Sequence, residues 1–317
     1  MAESEHQLYS EFENLVRELR LNNRHFVKSK MSDRLQEFVL DENQYSLVTR
    51  DMRLFRARIC NEEDSAVELN LHHRGVKFGT FDLNRSLCYS EKEPKDKMLA
   101  GYDEKGSGAP PAKLCGENRA NGKGIRRLYV AENARTAIME TKPSLGNLVS
   151  IAELKIINPP FLVLDLTMER SDNAEIDYLR FLLDRQFSLA CAGDVVSYSF
   201  TQWFSDLVAK EGRKITSTIG NDNIVFQPYG RGIKYSSAMH LLGKNMVIFG
   251  MHGDNGVTHP NSTEFSSEHL FNVVVIRSEI YLIRDVEYHF QQFKLERDDV
   301  FKLEQNTCNL SMDMLEA

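Results

Sequence analysis

The stretch GENRANGKG (116–124) is the first place in this chain where residue types and spacing suggest chemistry. In a glycine-rich turn, backbone N–H groups and the Arg119 guanidinium can converge on a phosphate, although the same residues also suit a flexible surface turn. Upstream, Arg56 and Arg58 alternate along LFRARI (54–59). Both therefore project from one face of a strand, and either can grip phosphate through charge-assisted, bidentate contacts. Metal chemistry has little to work with. The five cysteines, at 60, 88, 115, 191 and 308, form no CxxC pair, and the nine histidines form no HExxH or HxH pattern. No GxxxxGK[ST] phosphate loop, GxSxG elbow or GxGxxG dinucleotide turn occurs.

The elements around these residues are legible from periodicity. Leu8, Phe12, Leu15 and Leu19 make one apolar stripe on a helix over 7–20, and a second helix follows Ser32, with Leu35, Phe38 and Val39 inward. LFRARI reads as a strand, while 60–127 is irregular. Leu128–Ala131 is a short strand, after which Asn133 caps a helix running through Thr136 to Glu140, ended by Pro143 and Gly146. Strands follow at 148–157 and 161–166, then helices at 174–190 and 198–211, the latter stopped by Gly212. GIKYSS, KNMVIF, FNVVVI and EIYLIRDVEYHF read as four more strands. Strands mixed with helices, without regular βαβ alternation, predict an α+β fold. The expected division is a helical N-terminal appendage (1–50), a catalytic domain (51–290) and an acidic C-terminal tail (291–317).

Four segments carry a more specific signal: LFRARI, NRANGKGIRRLYVAENARTAIMET (118–141), SYSFTQWF (197–204) and GIKYSSAMHLLGKNMVIF (232–249). Together they resemble the RES-domain family. The hallmarks are Phe55–Arg56, the Arg119–Ala120–Asn121 turn, Leu128–Tyr129, the Thr136 to Glu140 element, and Ser237 followed eight residues on by Asn245. Their order agrees over residues 54–250, about two-thirds of the chain. Asn118 stands where the family usually has Gly, and Ser236 where it usually has Pro.

The resemblance implies an ADP-ribosyltransferase-like mixed sheet that binds NAD+ as substrate with no bound cofactor, the acceptor being inorganic phosphate as co-substrate (phosphorolysis) or water (glycohydrolysis). Cleaving the nicotinamide–ribose bond leaves an oxocarbenium-like ribose, so a fixed negative charge is needed near the anomeric carbon, as in glycosidases. Glu140 is the implied carboxylate. Arg56 would hold the pyrophosphate, and Arg119 is a further phosphate ligand for NAD+ or for attacking phosphate. Tyr129 would stack on nicotinamide and donate a hydrogen bond from its hydroxyl. Ser237 would hold the ribose or order Glu140. Asn121 would bind the nucleotide or shape its own turn, and Trp203 would lie in the core. The resemblance also implies an intracellular toxin or defence effector, with a protein antitoxin or inhibitor and a homo-oligomer as further partners. A transferase acting on protein or nucleic acid, and a nucleotide-binding module without turnover, are the competing readings.

Composition narrows the field. At 42% hydrophobic and 27% charged residues across 317 positions, global disorder is excluded. With 46 acidic against 39 basic side chains the net charge is −7, which argues against non-specific nucleic acid or anionic lipid binding. No stretch approaches the ~20 apolar residues of a membrane span, and the acidic N-terminus is unlike a secretory signal. A cytoplasmic protein is expected.

Overall fold

The structure is a computed structural model that describes residues 2–21, 27–60, 98–99, 101–156, 160–189, 198–214, 230–250, 273–283, 288–291 and 307–310. Its centre is a nine-stranded mixed sheet. The strands are β1 (Tyr45–Val48), β2 (Arg53–Ile59), β3 (Met98–Leu99), β4 (Arg127–Ala131), β5 (Leu148–Ile156), β6 (Phe161–Asp165), β7 (Gly230–Ser236), β8 (Lys244–Phe249) and β9 (Val273–Leu282). Their order is β1-β6-β7-β8-β4-β2-β5-β9-β3, with β6–β7 and β3–β9 parallel and the remaining pairs antiparallel. A separate antiparallel pair joins β10 (Tyr288–Gln291) to β11 (Thr307–Leu310). The helices are α1 (Ala2–Leu21), α2 (Lys30–Leu40), α3 (Glu104–Ser107), α4 (Ala134–Glu140), α5 (Ala174–Ser188) and α6 (Ser199–Glu211). The fold is α+β.

Side-chain alternation along the central strands supplies both faces of the sheet with apolar groups. Leu162 and Leu164 of β6, with Val247 and Phe249 of β8, join one hydrophobic cluster. Phe161, Val163, Met246 and Ile248 join another. The first cluster also takes Phe12 and Leu15 of α1, Leu35 and Phe38 of α2, Phe187 of α5 and Phe200 and Phe204 of α6. Helices α1 and α2 lie in the opening fifty residues as expected, but they do not stand apart from the sheet as an appendage. Their apolar stripes complete the main core, and β1 pairs with β6 along Tyr45–Val48.

Local details depart from the periodicity in two places. Ser29, not Ser32, is the N-cap of α2. Ser32 sits at the third helical position and returns a hydrogen bond from the Ser29 N–H, so the two serines form a reciprocal capping box. The strands expected at 271–276 and 279–290 run together from Val273 to Leu282 as β9, which pairs with β5 with a register shift at Ile276, whereas Tyr288–Gln291 belongs to the separate β10–β11 pair. Helix α4 stops before Pro143, with Lys142 at φ 50° in the left-handed region. The residues of the expected acidic tail lie outside the described residues, apart from Gln291 and β11.

The sheet parts between β2 and β4, which are joined at a single register pair, Phe55↔Ala131, whereas β2 pairs with β5 from Arg53 to Ile59. The cleft that follows holds the candidate site. Phe12 tests how the helices belong to this core. It is fully buried, with its ring edge-on to Phe200 at 5.0 Å. Phe12→Ala should cost about 3–5 kcal/mol of global stability, read as a lower midpoint of one cooperative denaturation transition. An unchanged main transition would mean that α1 folds independently of the sheet.

Candidate active site

Glu140 is the last residue of α4, a helix started by Asn133, whose Oδ1 accepts from the Thr136 N–H at 2.8 Å and from its hydroxyl at 2.9 Å. A helix C-terminus is an unfavourable place for a carboxylate. Two donors compensate. Glu140 Oε1 accepts from the Ser237 hydroxyl at 2.6 Å and from Asn245 Nδ2 at 2.6 Å. Ser237 Oγ in turn accepts from the N–H groups of Met239 (3.1 Å) and His240 (3.0 Å), so its own proton is directed at the carboxylate. Asn245 lies on β8 opposite both Tyr235 of β7 and Ala131 of β4, and is buried. Glu140 Oε2 accepts no hydrogen bond from the described residues.

The carboxylate lines a cavity of about 470 Å³, within the range of small-molecule sites. Arg56, Arg119, Tyr129, Tyr198, Tyr235 and Asn245 share its wall. Arg56 Nη1 is shut off from solvent without a hydrogen-bond partner. Burial, reinforced by Arg58, brings the Arg56 guanidinium down to about 9, still a cation at neutral pH. Arg58 is engaged elsewhere, its Nη2 donating to the Gly108 carbonyl at 2.8 Å. The two arginines are thus separated by their surroundings. A partly enclosed cation without a counter-charge is costly, and an anionic ligand would relieve it.

The 118–121 turn is built differently from an anion cradle. The N–H groups of Asn118, Ala120, Asn121 and Gly124 are all taken by the protein itself. Asn121 is buried, its Nδ2 donating to the carbonyls of Gly116 (2.9 Å) and Gly122 (3.0 Å). Its Oδ1 accepts from the Tyr129 hydroxyl at 2.7 Å, and that hydroxyl also accepts from Ala120 N at 3.0 Å. Asn121 therefore shapes the turn and does not line the cavity. Burial pushes the Tyr129 hydroxyl well above its ordinary value. With its hydroxyl committed to the turn, Tyr129 offers a ligand its ring, not the hydrogen bond expected of it. Arg119 faces the cavity beside Tyr235, 5.7 Å from the ring centroid, and its Nη2 ties the turn to the Leu189 carbonyl at 3.0 Å.

The model of the RES domain matches residues 100–269, more than half of the chain. The chain belongs to the RES domain family. This family is linked to NAD-processing enzymes and to toxin–antitoxin pairs. No curated protein and no solved structure matches the chain. The matched stretch of the RES domain contains Arg119, Asn121, Tyr129, Glu140, Ser237 and Asn245, whereas Arg56 on β2 precedes it.

Within the RES domain the adjacent serines divide cleanly. The Ser236 N–H donates to Asp184 Oδ1 at 2.7 Å and its carbonyl accepts from Ser188 Oγ at 2.9 Å, so Ser236 is engaged with α5. Ser237 alone reaches Glu140. Asn245 is named in sequence only as the spacing partner of Ser237, and Tyr235, Tyr198 and Gln202 are not marked by residue type as parts of the site. Gln202 is buried and its Nε2 spans the carbonyls of Asn118 (3.0 Å) and Asn121 (3.1 Å), bracing the turn. An amide set among the aromatics of SFTQWF is the sequence signal for it. Trp203 is half-buried at the core edge, tilted against Phe200 at 6.0 Å. Among the described residues no group of three or more His, Cys, Asp or Glu could hold a metal ion, and no helix is long and apolar enough to cross a membrane.

The unanswered charge of Arg56 makes a test in the absence of turnover. Arg56→Met should melt at or above wild type, because it removes a partly enclosed cation while keeping an unbranched side chain. Inorganic pyrophosphate at ten times its Kd should stabilise wild type by about 1.4 kcal/mol and leave Arg56→Met unmoved. A ligand-free variant that melts far below wild type would make Arg56 a structural residue instead.

Proposed function

We propose that this RES domain binds NAD+ on an ADP-ribosyltransferase-like core and cleaves its nicotinamide–ribose bond, passing the ADP-ribosyl group to inorganic phosphate. The observation that carries this reading is the Glu140 carboxylate, held through one oxygen by Ser237 and Asn245, in a cavity that also holds an unpaired Arg56. A dinucleotide brings what each group lacks: pyrophosphate for the guanidinium, and a ribose that becomes cationic as the bond breaks.

The chemistry follows from charge. The C1′–N bond breaks with its electron pair moving to the pyridinium nitrogen, so nicotinamide leaves neutral and needs no general acid. The ribose left behind is oxocarbenium-like, and the Glu140 charge opposes it in a partly enclosed site, where such stabilisation is worth several kcal/mol. Ser237 and Asn245 fix Oε1 before substrate arrives, so no reorganisation is needed during the step. An oxygen of phosphate then bonds to C1′, giving nicotinamide and ADP-ribose-1″-phosphate. Arg119 is the cavity cation assigned to the second phosphate. Consumption of NAD+ in this way would act as a toxin or defence effector, restrained by a protein antitoxin or inhibitor.

The test is purified protein with NAD+, with and without phosphate, its products resolved by mass. Nicotinamide should appear, with ADP-ribose-1″-phosphate formed only when phosphate is present. Glu140→Gln keeps size and polarity but removes the charge, and its rate should fall roughly 100-fold or more with NAD+ affinity nearly unchanged. Intact NAD+ after incubation with wild type, or a Glu140→Gln rate within a few-fold of wild type, contradicts the proposal.

A further inference from the structure

Ser237 sits at the start of a loop, 237–243, that has little apolar anchorage of its own. Leu241 and Leu242 are 88% and 92% exposed, and Leu242 lies at φ 76°, a conformation unfavourable to a side chain of that size. A strained loop keeps one geometry only where surrounding contacts over-determine it. The internal ties are backbone bonds, Ser237 N to the Gly243 carbonyl at 2.8 Å and Gly243 N to the His240 carbonyl at 2.9 Å. They close the loop but do not place it against α4.

Two side-chain contacts do. One is Ser237 to Glu140. The other joins Thr136 Oγ1 and His240 Nδ1 at 2.7 Å. Thr136 is fully buried and gives its hydroxyl proton to Asn133 Oδ1, so it accepts from His240 Nδ1–H. Thr136 and Glu140 are four residues apart on one face of α4, and the loop is therefore held at two points on that face. His240 connects them, because its own N–H donates to Ser237 Oγ.

Gly243 gives independent support. A Cβ there would stand 2.6 Å from Thr136 Oγ1 and 2.7 Å from His240 Nδ1. Gly243 is not among the glycines with positive φ. Its lack of a side chain is therefore a matter of space, and the space is filled by the Thr136–His240 contact.

We propose that Thr136 and His240 are a positioning pair that sets the Ser237 hydroxyl against Glu140, with Gly243 as the gap in which they meet. The proposal rests on the reading of Glu140 as the charge that faces the ribose. His240→Ala should lower kcat for nicotinamide release about tenfold with KM for NAD+ within about twofold, as expected when a reacting group is slightly misplaced. His240→Asn, whose Nδ2 can stand where Nδ1 does, should recover most of the rate. Thr136→Val added to His240→Ala should lower kcat no further, since the shared contact is already gone, while its lost bond to Asn133 should show only in melting temperature. Gly243→Ala should reproduce the loss. An unchanged kcat in His240→Ala, equal damage in His240→Asn, or rate losses that simply follow melting temperature would overturn it. Amide exchange separates this from the functional reading. The Met239 and His240 N–H groups should exchange faster in His240→Ala whether or not the protein turns over NAD+. If wild type releases no nicotinamide, the functional reading fails while exchange still decides the clamp: unchanged protection of those two amides contradicts it.

Discussion

One oxygen of one carboxylate, Glu140 Oε1, receives hydrogen bonds from two donors that come from different parts of the chain. Charge-assisted bonds of this kind are short and strong, and here they offset the unfavourable end of α4. The surrounding architecture can be understood as what brings them together. Strand β8 carries Asn245 between β7 and β4, and the loop after β7 turns Ser237 inward. Asn133 starts a seven-residue helix whose final residue arrives at both. Removing either donor would leave the carboxylate with one bond, at the weak end of a helix, facing a cavity.

The opposite charge is managed in the reverse manner. Arg56 is brought into the cleft without a protein partner for Nη1, where burial acts against its charge. An anionic ligand at this position would relieve that cost. The parting of β2 from β4 makes this arrangement feasible, because a fully paired sheet would leave no room between the Arg56 and Tyr129 strands. The helices that cover the sheet through the cluster around Phe12, Phe187 and Phe200 reach the cavity wall at Tyr235, whose ring lies 5.3 Å from that of Phe187.

Much of this was legible in residue order. The stripe at Leu8, Phe12, Leu15 and Leu19 gave α1, and Asn133 gave the start of α4, because capping and apolar spacing are local properties. Glu140 and Ser237 could be paired in advance only through resemblance to a family, since 97 residues separate them. What was not legible depends on which partner a polar group finds. Arg56 and Arg58 share a strand face, and only the Gly108 carbonyl distinguishes them. The Tyr129 hydroxyl looks available in sequence, yet Asn121 and Ala120 occupy it. Tertiary contact likewise decides that α1 and α2 are core elements, as an amphipathic stripe does not name the surface that will cover it.

The most direct measurement of the central claim is a crystal structure of Glu140→Gln with NAD+ bound, a form in which shape is kept and turnover is slow. The account predicts that the pyrophosphate meets Arg56 and that the nicotinamide-side ribose lies with its anomeric carbon beside the side-chain amide nitrogen of residue 140, which replaces the carboxylate oxygen not held by Ser237 and Asn245. A dinucleotide bound with its pyrophosphate away from Arg56, or with its ribose out of reach of residue 140, would contradict it.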